Sequence, residues 1–189
     1  MGKRPKPPPT GTTPNNNALS LDPFYWDILY SQNVPPRPAA PWHFSFPTSG
    51  GGIDYVVTPF TTPILGKKIT MDFEITGLGH IKATEQDSPA QVRLFMQHKS
   101  SSTEDNRWWS NPLSVQLIAP QVAQLQVTVA PDQWSQVYGK KGTDRLSQFN
   151  DCVANLGKIG FTFGGYFFGH GVIADQGQPI FYLKRFTVS

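Results

Sequence analysis

The run Ile159-Gly160-Phe161-Thr162-Phe163-Gly164-Gly165-Tyr166-Phe167-Phe168-Gly169-His170-Gly171-Val172 decides the fold, together with Ile180-Phe181-Tyr182-Leu183-Lys184-Arg185-Phe186-Thr187-Val188. Apolar side chains at 159, 161 and 163 alternate with small or polar ones, which is the period of two that a strand imposes. The second run is rich in aromatic and β-branched residues. Glycines fall where a strand bends or bulges. The two runs read as strand, turn and strand, and a final strand is expected to close a sheet.

The same period recurs upstream. In Lys68 to Thr76, Ile69, Met71, Phe73 and Ile75 point one way, and Thr70, Asp72, Glu74 and Thr76 the other. Gln91 to His98 repeats it, with Val92, Leu94 and Met96 inward and Arg93, Phe95 and Gln97 outward. Shorter strands are expected over Trp42–Phe46, Ile53–Phe60, Arg107–Ser110, Leu113–Leu117 and Leu125–Val129. Residues 143–155 are the best helical candidate, since Leu146, Phe149 and Val153 are three and four apart and Gly157 suits the helix end. About eight strands with few helices predict an all-β, two-sheet antiparallel jelly-roll sandwich.

Thirteen of the 18 prolines lie in residues 1–63. Residues 1–41 are therefore read as a Pro-rich basic arm with an aromatic anchor segment, and 42–189 as the sandwich domain. Asp22-Pro23 is placed to cap a short helical turn running to Tyr30. The net charge of +3 comes from Lys3, Arg4 and Lys6, because the remaining chain holds 13 basic and 13 acidic residues. The basic balance is therefore a property of the arm and is not evidence for a basic nucleic-acid-binding surface on the body. No apolar stretch follows the basic start, so no signal peptide is expected, and no run is long enough to span a membrane. Cys152 stands alone and reads as a buried thiol.

Taken in order, KITMDFEITG, RLFMQHK, RWWSNPLSVQL, the Pro131-Asp132-Gln133-Trp134 stretch, a short helix and IGFTFGG resemble the jelly rolls of galactose-binding-like domains and carbohydrate-binding modules, over residues 42–189. The resemblance implies a fold and, more loosely, a sugar ligand. Sugar rings offer apolar C–H faces and hydroxylated rims, so a sugar site needs a flat aromatic beside paired hydrogen-bonding groups. Arg107, Trp108 and Trp109 supply those residue types. Adjacent tryptophans on a strand face opposite ways, so one is expected in the core and the other is open to a ligand or to packing. A second candidate is the polar sheet face carrying Asp72, Glu74, Arg93, Gln97, Gln124, Gln126, Tyr182 and Lys184. A groove around Arg93, Trp108 and Tyr182 would suit a polysaccharide.

Catalysis finds little support, since the four histidines are scattered and no nucleophile elbow, phosphate loop or zinc spacing occurs. Asp72 and Glu74 share a face, which any alternating strand would produce. Asp105, Asn106 and Asp132 are the candidates for a structural calcium; no cofactor is otherwise expected. Two readings remain. In the first, Lys3, Arg4 and Lys6 with Phe24, Tyr25 and Trp26 dock the sandwich onto a protein partner or a second copy, in a virion or cytoplasmic assembly such as a phage decoration, fibre or tail-associated protein. In the second, the chain is a free carbohydrate-binding module.

Overall fold

Alternation sorts the apolar side chains of this chain onto the inner faces of two antiparallel sheets, and the core lies between them. The computed structural model describes residues 18–85, 89–100, 106–165 and 169–189. In chain order the strands are β1 (Asp27–Leu29), β2 (His43–Ser45), β3 (Tyr55–Pro59), β4 (Lys68–Ala83), β5 (Gln91–His98), β6 (Arg107–Ser110), β7 (Val115–Gln116), β8 (Ala119–Thr128) and β9 (Trp134–Gln136). Helix α1 (Leu146–Ala154) follows, then β10 (Leu156–Gly164), β11 (Val172–Gly177) and β12 (Ile180–Val188). One sheet has the order β1-β3-β10-β5-β6-β9, with β7 also on β5. The other has β11, β12 and β8 on β4, with β2 beyond β12. The expected all-β sandwich of two antiparallel sheets is the fold found.

The inner faces carry the predicted residues. Ile69, Met71, Phe73 and Ile75 from β4 are buried against Val92, Leu94 and Met96 from β5. Phe181 sits at the centre, stacked on Phe44 at 5.2 Å, on Phe73 at 5.1 Å and, across the sheets, on Phe161 at 5.5 Å. Trp108 fills the same core edge-on to Phe149 of α1, at 5.2 Å. Among the described residues no helix is long and apolar enough to cross a membrane.

Several expectations need correction. The two C-terminal strand runs do not form one hairpin, because β10 lies inside the seven-stranded sheet and β11 and β12 line β4 in the other. The strand β12 runs between β4 and β2 rather than along an edge. Gly157 does not end the helix. Asn155 caps it with an ordinary backbone, and Gly157 occupies the bulge where β10 passes Lys99, whose Cα would lie 2.7 Å from any Cβ there.

The aromatic anchor also differs from its reading. Asp22 accepts from Phe24 N at 2.9 Å, but the turn it caps spans only Pro23–Tyr25. The chain then enters β1 and pairs with β3. Trp26 is wholly buried, edge-on to Trp42 at 5.4 Å and Phe186 at 5.5 Å. Leu19, Leu21 and Tyr25 pack against the same core, and Ala18 bridges Thr187 on β12. Phe24 is half exposed, with the Arg37 guanidinium 4.8 Å over its ring. So Tyr25 and Trp26 both pack on the chain's own body, and Trp26, wholly buried, is unavailable to a partner. Lys3, Arg4 and Lys6 lie outside the described residues.

Candidate functional site

The sequence candidates divide between two faces with the whole core between them. Asp72, Tyr182 and Lys184 stand on the outer face of the five-stranded sheet, as the pairing of β12 with β4 requires. Arg93, Arg107 and Trp109 belong to the outer face of the seven-stranded sheet, and Trp108 faces inward. A single groove around Arg93, Trp108 and Tyr182 is therefore ruled out.

The five-stranded face is closed electrostatically. Arg185 Nε meets Asp72 at 2.7 Å, and Gln124 donates to the same carboxylate at 2.7 Å. Lys184 Nζ meets Glu74 at 2.7 Å. Tyr182 has His43 stacked on one face at 5.2 Å and Lys184 over its ring at 5.0 Å. Its aromatic surface is already occupied, and both carboxylates already have cation partners.

On the opposite face, both tryptophans of Arg107-Trp108-Trp109-Ser110 are buried, which is the packing alternative rather than the ligand one. Trp109 does point outward, but a second small core covers it. Tyr55 of β3, Phe95 of β5 and Trp109 of β6 form this layer, with ring centroids 5.1 Å apart for Tyr55 and Phe95 and 5.4 Å for Phe95 and Trp109. Leu29 and Val137, from the two edges of the sheet, pack onto it. Arg93 is buried beside it, donating to Asn111 Oδ1 at 3.0 Å and Gln91 Oε1 at 2.5 Å. Burial pulls its guanidinium down to about 10. Neither tryptophan nor Arg93 can reach a ligand in this arrangement.

What the layer presents to solvent is Tyr30. The residue is 66% exposed, and its ring stands edge-on to Tyr55 at 5.4 Å with the Arg107 guanidinium 5.6 Å from its centroid. Burial pushes the Tyr55 phenol up to about 12, with Arg107 opposing the shift, so it stays neutral. Tyr30 has φ 58, and Tyr138, 76% exposed on the far edge just past β9, has φ 65. Bulky residues rarely occupy this left-handed region, which costs on the order of 1–2 kcal/mol. Two exposed tyrosines carry that cost at opposite ends of one aromatic floor. The turn at Tyr30 is held by Ser31, whose hydroxyl donates to Leu29 O at 3.1 Å and accepts from Asp54 N at 2.8 Å.

This is an exposed aromatic beside a forked donor, the combination that sugar recognition needs, with a different ring from the one expected. Arg107 is the one sequence candidate that the structure keeps in it. Tyr30, Tyr55 and Tyr138 were missed. Tyr30 closes the apolar run before Ser31-Gln32-Asn33, but asparagine or glycine normally marks a left-handed turn, so nothing in the sequence flags a tyrosine there.

Asp54, next to Tyr55, has a buried Oδ1 with no hydrogen-bond partner. Burial, and secondarily the charge of Glu85, push its carboxyl up to about 7. The unfolded chain ionises it near 3.8, so folding carries no penalty from this group below that pH, an increasing one through pH 7, and the full one above. Asp54→Asn should therefore raise stability at pH 8, by on the order of 1–2 kcal/mol after allowing for solvent screening, and change little at pH 4. Thermal melts of both proteins at the two pH values test this; equal gains at both would contradict it.

The remaining candidates are structural. Cys152 is buried, and burial pushes its thiol up to about 12. His80 pairs with Asp175 at 2.6 Å and His170 with Glu85 at 2.7 Å. Of the calcium candidates, Asn106 donates to Ser100 O at 2.7 Å and Asp105 lies outside the described residues. Among the described residues no three metal-ligating side chains cluster.

No family model matches this chain, and no curated protein matches its sequence. Among solved structures, it overlaps one described as the xylan-binding module CBM15, at 15% identity and a TM-score of 0.44, over 88% of this chain and 95% of that one. It also overlaps a mutant of Xylanase10C from Cellvibrio japonicus in complex with xylopentaose, at 15% identity and a TM-score of 0.48. That alignment covers 91% of this chain, which spans only 28% of the xylanase. Similarities of this size bear on neither ligand nor site.

Proposed function

We propose that this protein is a non-catalytic carbohydrate-binding domain whose contact surface is the Tyr30 rim on the outer face of the seven-stranded sheet. The observation that supports this reading is the Tyr30 ring itself. It is held open to solvent by an unfavourable backbone, braced edge-on by Tyr55 and flanked by the Arg107 fork. A sugar ring laid on Tyr30 would bury its C–H face, and its hydroxyls would accept from Arg107. Tyr138 offers a second platform further along a polymer. The alternative of an arm-docked assembly component draws no support from the described residues, because Trp26 is buried in the sandwich, Ala18 bridges β12 and Asp27–Leu29 pair with β3.

Affinity electrophoresis through gels containing soluble neutral and acidic polysaccharides, xylans among them, tests the reading. At least one polymer should retard the protein. Tyr30→Ala should weaken that retardation by about tenfold or more, as for truncation of an aromatic anchor, with little change in melting temperature. A protein that no polymer retards would overturn the reading.

A further inference from the structure

The two outer faces carry their charge differently. On the five-stranded sheet both outward carboxylates of β4 carry a cation, Arg185 on Asp72 and Lys184 on Glu74. On the seven-stranded sheet the outward positions of one row are Lys158, Gln97 and Arg107, brought side by side by the register of β10, β5 and β6. Among the described residues, no ion pair to a carboxylate is found for either cation of that row. The Arg107 guanidinium lies instead over the Tyr30 ring, 5.6 Å from its centroid. Asp27, in the adjacent row, is taken up by Arg37 at 3.5 Å. Asp54, beside Tyr55, has its ionisation held back by burial. Glu104 and Asp105, which precede Arg107 in sequence, lie outside the described residues. Lys140 and Lys141 follow Tyr138 and are exposed. One face thus has its central carboxylates ion-paired, and the other, among the described residues, has cations without carboxylates around an exposed ring.

We propose that the Tyr30 rim selects glycans bearing carboxylates, that is, uronic-acid units, an inference that rests on the glycan-binding reading above. A uronate has the apolar ring face that stacks on Tyr30 and, at the ring's edge, a planar carboxylate matching the two parallel N–H groups of Arg107. Lys158, two strands away, lies about 10 Å from Arg107, close enough to meet a second acidic unit or the hydroxyls of a neighbouring one.

The test compares polygalacturonate and glucuronoxylan with the carboxyl-reduced form of each, in which backbone and linkage are kept and the charge is removed. The protein should bind at least one acidic polymer about tenfold more tightly than its reduced counterpart, the size expected for one charge-assisted bidentate contact. Arg107→Ala should abolish the difference, and Arg145→Ala, in the turn before α1, should leave it intact. Arg107→Lys keeps the charge but lacks the fork, so it should bind a sulfated polymer of equal charge density as well as the uronate polymer, which the native protein should not. Equal binding of acidic and reduced polymers would overturn the carboxylate selectivity and leave glycan binding standing. Equal native affinity for sulfated and carboxylated polymers would also overturn it, reducing the rim to general charge attraction. Binding to none of them would remove the glycan reading and this inference with it.

Discussion

Trp26→Ala is expected to destabilise the protein by about 3–5 kcal/mol, the range for truncating a large aromatic in a packed core. Trp26 lies in a segment that composition assigns to a detachable arm, yet its side chain is wholly buried. It touches rings from both layers, Phe186 of β12 at 5.5 Å and Phe161 of β10 at 6.1 Å, with Trp42 edge-on at 5.4 Å. Its indole N–H donates to Ser20 O at 2.8 Å, which ties down the chain just before the turn at Asp22. Truncation leaves a ring-sized void between layers that cannot close without shifting strands, and frees residues 18–26 as well. Urea denaturation of the variant gives the loss directly. A change under 1 kcal/mol would mean that the segment is dispensable and that the arm-and-body division was right.

The second large effect is Gly160→Ala, at the upper end of the ~1–3 kcal/mol typical of overpacking. Gly160 lies mid-sheet in β10, opposite Val57 on one side and Phe95 on the other. A Cβ there would overlap the Val56 carbonyl oxygen and stand 2.8 Å from Val57 Cα. Both obstacles are backbone, so relief requires β3 and β10 to part. Val57, Tyr55 and Phe95 would move with them, and these residues support Tyr30. Gly160→Ala should thus lower the unfolding midpoint and weaken glycan binding together. Tyr30→Ala, whose ring is on the surface, should weaken binding alone. A Gly160→Ala protein with native stability and native binding would refute this coupling of floor and rim.

Much of the fold was legible because period-two alternation is a direct consequence of strand geometry. The inward and outward residues of β4 and β5 fall as read, and α1 lies within the expected span. What alternation cannot report is which sheet a strand joins. Register and pairing depend on long-range contacts, so Arg93 and Asp72 looked like neighbours on one polar face when the whole core separates them. Nor can it report a second layer. Phe95 points outward as expected, and Trp109 beside it, but Leu29 and Val137 from distant parts of the chain cover them. The same limit hid the site. Tyr30 owes its exposure to a positive φ fixed by contacts with Tyr55 and Ser31, and a tyrosine carries no sequence mark of that conformation.

The most direct test of the account is an amide NMR titration with oligosaccharides cut from whichever polymer retards the protein. Shifts should concentrate at Tyr30, Ser31, Tyr55, Arg107, Lys158 and Tyr138, along one face of the seven-stranded sheet. Shifts centred instead on His43, Glu74, Tyr182 and Lys184 would place the ligand on the ion-paired sheet and contradict it.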